Sequence, residues 1–245
     1  MYGLNRAFLN IMKIGGLQKV TLIDYPQKIA CTVFLSGCNF RCPFCYSKEL
    51  VLPEEIKNHP EISLDDFFSF LKGKIGLLEG CVICGGEPTV NGKELISFCQ
   101  KIKDLGFLIK LDTNGSNLEV LKELISKKLI DYVAMDVKNS LSKEKYEKAT
   151  GLKNINIESI KEVIEYIKNS GIDYEFRTTI TPQIHSLEDI KQIIKDISPA
   201  KKYYLQQFLK EKETISNDDF ETYREEELKE IEKEAKTLFD IFKIR

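Results

Sequence analysis

The sequence predicts an α/β fold in which a parallel sheet with helical crossovers curls only part of the way into a barrel. Short apolar, β-branched runs alternate with amphipathic stretches of helical length along most of the chain, the pattern of repeated β/α units. Six such units are found where a closed barrel has eight, so one side is left open. Residues able to do chemistry recur just after one strand and then the next, where barrels carry their working loops.

The elements follow in order. Residues 1–28 read as an irregular lead-in ending in the Asp24-Tyr25-Pro26 turn, and the first strand spans about 29–36. Ser63 with Asp66 three residues on opens a helix, with Leu64, Phe67, Phe68 and Leu71 on one face. Gly80 precedes a second strand, 81–84, that runs into Gly85-Gly86. A helix over 92–105 stops at Gly106 and a third strand covers 107–112. Asn117 caps a helix over 118–128, and a fourth strand spans 132–137. A short helix over 142–149 ends at Gly151. Ser159 with Glu162 opens another helix that stops at Gly171. The fifth strand is 172–180. Ser186 and Asp189 open the next helix, and 203–208 form the sixth strand.

The tail differs in composition. Residues 225–244 are highly charged, with Leu228, Ile231, Ala235, Leu238 and Phe242 at helical spacing. This reads as a closing helix that docks an apolar stripe on the barrel rather than a helix for a partner. The expected organisation is therefore a lead-in (1–28), a partial barrel (29–210) and a C-terminal helical extension packed on it (211–245).

A chain of 245 residues can form one such domain. With 36 basic and 38 acidic residues the net charge is −2, which argues against a nucleic-acid or anionic-membrane partner. No apolar run is long enough to span a bilayer, and the first residues lack the features of a signal peptide. Seven cysteines in a chain without secretory features read as reduced thiols of a cytoplasmic protein.

Three of these cysteines, Cys38, Cys42 and Cys45, fall in eight residues after the first strand, spaced C-x3-C-x2-C. Asn39, Arg41 and Pro43 between them mark a loop rather than a core strand. Three thiolates suit an iron–sulfur cluster that keeps one iron open. Tetrahedral zinc would ask for a fourth ligand nearby, and Tyr46, Ser47 and Lys48 supply none.

With Phe44 between the last two cysteines and Gly85-Gly86-Glu87-Pro88 one strand later, the chain resembles the radical S-adenosylmethionine (radical SAM) enzymes. The wider pattern is similar to the activating enzymes of glycyl-radical proteins, above all the activator of anaerobic ribonucleoside-triphosphate reductase. The matching pieces are Ile23-Asp24-Tyr25-Pro26, Gly37-Cys38-Asn39-Phe40-Arg41-Cys42, Asp112-Thr113-Asn114-Gly115, Asp136-Val137-Lys138 and Arg177-Thr178-Thr179, within residues 14–210. One departure is Tyr46-Ser47, where these activators carry His-Asn.

The resemblance implies a (β/α)6 radical SAM core and a [4Fe–4S] cluster on Cys38, Cys42 and Cys45, with SAM on the open iron. Reductive cleavage of SAM to a 5′-deoxyadenosyl radical would then remove hydrogen from a backbone glycine of a partner enzyme, anaerobic ribonucleotide reductase by this resemblance. It also implies a flavodoxin- or ferredoxin-type electron donor and an oxygen-poor setting. The radical forms on the cofactor, so no side chain is singled out as catalytic.

Contacts to SAM are expected from Phe44 (adenine packing, or a local core contact), from Gly85 and Gly86 (close backbone approach) and from Glu87 (fixing the loop or the ammonium). Asp136 and Lys138 are two apart on a strand and share a face, suited to ribose hydroxyls and to the SAM carboxylate. Asp112, Thr113 and Asn114 complete the rim. Arg177 is a forked donor suited to a carboxylate, or else a surface ion pair.

Cys31, Cys81, Cys84 and Cys99 read as small core residues rather than a second cluster, and His59 and His185 as exposed or loop residues. Two rival functions stand beside the activase: a radical SAM enzyme acting on a small nucleoside or cofactor precursor, and an iron–sulfur electron-carrier module. The carrier leaves Gly85-Gly86-Glu87-Pro88, Asp136 and Lys138 without a purpose.

Overall fold

The computed structural model describes residues 12–210 and 213–245. The start of the lead-in, on which the signal-peptide reading rests, lies outside the described residues. One eight-stranded sheet runs in chain order from β1 (Ile14–Thr21) to β8 (Phe239–Ile244). Strands β2 (Ala30–Leu35), β3 (Gly80–Gly85), β4 (Leu108–Thr113), β5 (Tyr132–Asp136), β6 (Asp173–Ile180) and β7 (Ala200–Gln207) are all parallel. Helices cover one face, and the sheet does not close, as expected for a partial TIM-type barrel.

Two differences lie at the sheet's edges. The lead-in, expected to be irregular, holds β1 (Ile14–Thr21), antiparallel to β2. The tail, expected to be one helix, breaks into α9 (Glu225–Ala235) and β8 (Phe239–Ile244), a further parallel strand on β7. Leu228, Ile231 and Ala235 of α9 are buried as foreseen. Phe242 belongs to β8, where it packs on Tyr203 with ring centroids 5.7 Å apart.

Beyond the single-turn α1 (Lys48–Val51) and α2 (Pro53–Ile56), the helices form where the residues direct them. Leu118–Ser126 (α5) and Leu187–Ile197 (α8) are capped by Asn117 and Ser186, the latter in a reciprocal box with Asp189. Helix α6 (Lys143–Thr150) ends on Gly151, which is left-handed at φ 67°. Helix α7 (Ile157–Asn169) starts earlier than expected. Its cap is Asn156, whose side chain accepts from the Ser159 N–H. Helices α3 (Leu64–Lys72) and α4 (Gly92–Asp104) are joined by Phe67, Phe68 and Phe98, whose ring centroids lie 5.1–5.5 Å apart.

Alternation along each strand divides the molecule. Ile109 and Leu111 of β4, Val133 and Met135 of β5 and Phe176 of β6 join the main apolar core. Val82, Tyr132 and Ala134 point the other way, into the lumen, where Tyr25 of the β1–β2 turn packs on Tyr132. Strand ends are level, with Leu35 opposite Gly85 and Asp136 opposite Arg177. That alignment brings the loaded residues to one rim.

Candidate active site

The cysteine loop is held by its own backbone and by three neighbours. Gly37 N–H donates to Leu50 O (2.7 Å) and Arg41 N–H to Thr150 O (2.8 Å), while the Arg41 guanidinium donates to the carbonyls of Cys38 (2.6 Å) and Phe40 (2.7 Å). Ile215 and Ser216, on the segment between β7 and α9, donate to the carbonyls of Cys45 (3.1 Å) and Pro43 (3.2 Å). The Phe40 N–H approaches the Cys38 sulfur at 3.3 Å.

Burial pushes the Cys38 thiol up to about 11 and the Cys42 thiol up to about 12, and raises Cys45 as well. Cys45 adds to the rise at Cys38 and Cys42, and the Lys138 ammonium counters the rise at each of the three.

Gly85 (φ +119°) and Gly86 cross directly behind this loop. A Cβ on Gly85 would overlap the backbone of Leu35, and one on Gly86 the carbonyl of Gly37. Gly85 is thus required by the approach of β3 to the end of β2, and Gly86 by its approach to the cysteine loop, a reason additional to any bound ligand. Glu87 is fully buried. Its carboxylate accepts from Thr89 N–H (3.0 Å), Thr89 Oγ1 (2.5 Å), Thr113 Oγ1 (2.8 Å) and Asn114 N–H (2.6 Å). Of the two roles foreseen for Glu87, the geometry displays that of fixing the loops. Asn114 and Ser116 then reach the cysteine loop through Asn39 (3.0 and 2.9 Å).

Across the floor runs a ladder of alternating charge. Lys110 Nζ meets Asp112 Oδ1 (2.5 Å) and Arg177 Nη1 meets Asp112 Oδ2 (2.9 Å). Arg177 Nε meets Asp136 Oδ1 (2.9 Å), and Lys138 Nζ meets Asp136 Oδ2 (3.0 Å). Burial alone would raise both carboxyls, but Arg177 with Lys110 holds Asp112 below its ordinary value. Arg177 with Lys138 brings Asp136 down to about 2. Burial disfavours the Lys138 cation, yet Asp136 and Cys42 lift its pKa above the usual lysine value.

These pieces enclose a cavity of about 180 Å³. Every residue named from sequence for cluster or SAM binding lines it: Cys38, Cys42, Phe44 and Cys45 from the loop, Gly85, Gly86 and Glu87 at the end of β3, Asp112, Thr113 and Asn114 at the end of β4, with Asp136, Lys138 and Arg177 beyond. Phe44 also sets its ring edge against His185 (5.9 Å) and Phe220 (6.4 Å).

Three residues differ from the sequence reading or were missed by it. Cys31, Cys81 and Cys99 are core residues, but Cys84 lines the cavity, its thiol pushed by burial up to about 12. Its place follows from strand parity, three positions from Cys81 and so on the other face. His185 is neither exposed nor idle. It is fully buried, accepts from Thr181 N–H at Nδ1 (3.3 Å) and donates from Nε2 to the Lys138 carbonyl (2.8 Å). Burial lowers its pKa to about 4, so the ring is neutral. Lys110 carried no sequence signal beyond a lone charge in an apolar strand. His59 is half-buried with Nε2 2.7 Å from Gly15 O.

Among the described residues no three acidic, histidine or cysteine side chains close round one point as a single ion requires. A four-iron cluster instead spreads its thiolates over different irons. Three thiols on one short loop, an N–H aimed at a sulfur and a lysine facing all three form a donor set that fits such a cluster with one iron left open.

The barrel and this rim define a radical SAM protein, and the Radical SAM superfamily pattern matches residues 32–197. The chain belongs to that superfamily. It is 35% identical over 240 residues, 95% of both chains, to a Methanocaldococcus jannaschii protein provisionally named as a glycyl-radical enzyme activating enzyme. It is 23% identical over 185 residues to a 7-carboxy-7-deazaguanine synthase of Thermococcus kodakarensis, covering 68% of this chain and 70% of that one. In fold it matches Streptococcus suis SuiB crystallised with S-adenosylmethionine (TM-score 0.64, 14% identity, 85% of this chain), spanning about half (48%) of that protein.

Proposed function

We propose that this protein is a glycyl-radical enzyme activase. Cys38, Cys42 and Cys45 hold a [4Fe–4S] cluster, and the cavity beside it binds SAM. When bound, the two together supply one-electron cleavage of the sulfonium and abstraction of a hydrogen atom from a backbone glycine. The chain's own residues bind and orient. Lys138 faces the thiolates and offers an ammonium to a carboxylate, Asp136 and Asp112 keep lone pairs for hydroxyl or ammonium donors, and Phe44 presents a ring face to a base. Glu87 locks the β3 and β4 loops together so that this arrangement is preformed.

The observation that carries the reading is the convergence of three thiols and a fixed charge ladder on one cavity. Similarity over 95% of both chains to an activase-named relative supports a protein substrate. The more distant similarity to a deazaguanine synthase keeps a small nucleoside precursor as the second reading. The partner is an anaerobic ribonucleotide reductase and the donor a flavodoxin- or ferredoxin-type protein, in a reducing cytoplasm. The experiment is anaerobic reconstitution with reductant and SAM, mixed with candidate glycyl-radical proteins. An electron paramagnetic resonance doublet of a glycyl radical is expected. SAM cleavage that modifies only a low-molecular-weight compound would establish the second reading instead.

A further inference from the structure

Lys110 is the one charged side chain that the ladder hides completely. It sits within β4, 2% exposed, paired across the sheet with Val82 on one side and Tyr132 on the other. Asp112 and Arg177 line the cavity, whereas Lys110 lies below it and does not. A methionine would fill the same length of lumen without taking an ammonium out of water, a strongly unfavourable transfer. Its own burial therefore gives no reason for a cation here, and among the described residues its single ionic partner is Asp112.

Asp112 would otherwise depend on Arg177 alone, and Arg177 is shared with Asp136. Asp136 has Lys138 as well, but Arg177 also stands 4.0 Å from the buried Glu175, so without Lys110 three carboxylates would share two cations in a dry site. With Lys110 in place, each of the four carboxylate oxygens takes one N–H from the protein. Each oxygen then keeps a lone pair for a ligand in the cavity.

We propose that Lys110 is a positioning residue, a built-in counter-cation that fixes Asp112 and, through Arg177, Asp136 in the pose that SAM meets. The role rests on the reading of the cavity as the SAM site. It acts on binding, from a position that touches neither SAM nor the cluster.

The test is equilibrium binding of SAM to anaerobically reconstituted protein, with cluster absorption and thermal unfolding recorded alongside. Lys110→Met keeps the volume and removes the charge. It is expected to weaken SAM binding about tenfold or more while leaving the cluster spectrum unchanged. Lys110→Ala opens a space, and added methylammonium is expected to restore part of its lost affinity. Native affinity in Lys110→Met overturns the proposal, as does the absence of any amine effect on Lys110→Ala. Should the single variants not fold, Lys110→Met/Asp112→Asn leaves no uncompensated charge. Compared with Asp112→Asn alone, equal binding in that variant supports the role, and a further loss overturns it because Lys110 would then act other than through Asp112. A native protein that does not bind SAM at all would instead defeat the reading of the site.

Discussion

The two faces of the parallel sheet obey different physics. On the outer face Ile109, Leu111, Val133 and Phe176 are fully buried beneath helices, where stability follows from apolar area and close packing. One residue away along the same strands, Lys110, Asp112, Asp136 and Arg177 are held by directional ion pairs, where removing one partner strands another. A core position accepts any residue of similar volume and apolarity. A ladder position accepts only a particular charge at a particular distance.

The most severe test of this contrast uses the cysteines. Cys42→Ala is expected to abolish the iron–sulfur absorption and all SAM cleavage. Cys99→Ala, beneath the helices, should leave both intact at a cost of about 1 kcal/mol in urea unfolding. Equal loss of iron in the two variants would break the assignment of the loop.

Next come neighbours on β6. Arg177→Met removes the cation the two aspartates share, leaving each with one lysine and the buried Glu175 with none, and is expected to cost about 3–5 kcal/mol and to eliminate measurable SAM binding. Phe176→Leu should cost about 1 kcal/mol and leave the affinity of the folded protein unchanged. Similar affinities in the two would erase the difference between the faces.

A smaller effect concerns pH. His185 has its pKa lowered from 6.5 to about 4, so between these values the unfolded chain binds a proton that the native one refuses. Stability should be complete above pH 6.5 and fall as the pH drops towards 4. His185→Gln should flatten that slope in pH-dependent thermal unfolding. Asp136 acts lower, its contribution fading from pH 3.8 to about 2. The mildest change is Tyr223→Phe, which removes only the hydroxyl that donates to the His185 carbonyl. A loss of about 1 kcal/mol is expected by urea titration.

Much of the outer face was readable because its signal is periodic. Caps such as Asn117 and Ser186 and the stops at Gly106 and Gly151 mark their helices locally. The edges were not readable. Gly15 and Gly16 conceal β1, since a strand signal needs side chains. In the tail, Leu238 and Phe242 continue the helical spacing of α9, so periodicity runs past Ala235 into what is a strand. At the start of α7, Asn156 and Ser159 are both good capping residues, and only the fold chooses between them.

In the site, rim residues were legible because each follows a strand. The ladder was not, because Lys110, Asp112, Asp136 and Arg177 meet only when β4, β5 and β6 are laid side by side in register. His185 has neither motif nor period, and its bond to the Lys138 carbonyl spans 47 residues.

The segment that braces the cysteine loop has a consequence for biosynthesis. Ser216 follows Pro43 by 173 residues, an interval of roughly 10–35 s at ordinary translation rates. During that time the emerging chain holds its three thiols without the clasp on Pro43 and Cys45. The clasp on the cysteine loop is thereby completed only late in synthesis, once the polypeptide has turned back upon its earlier part.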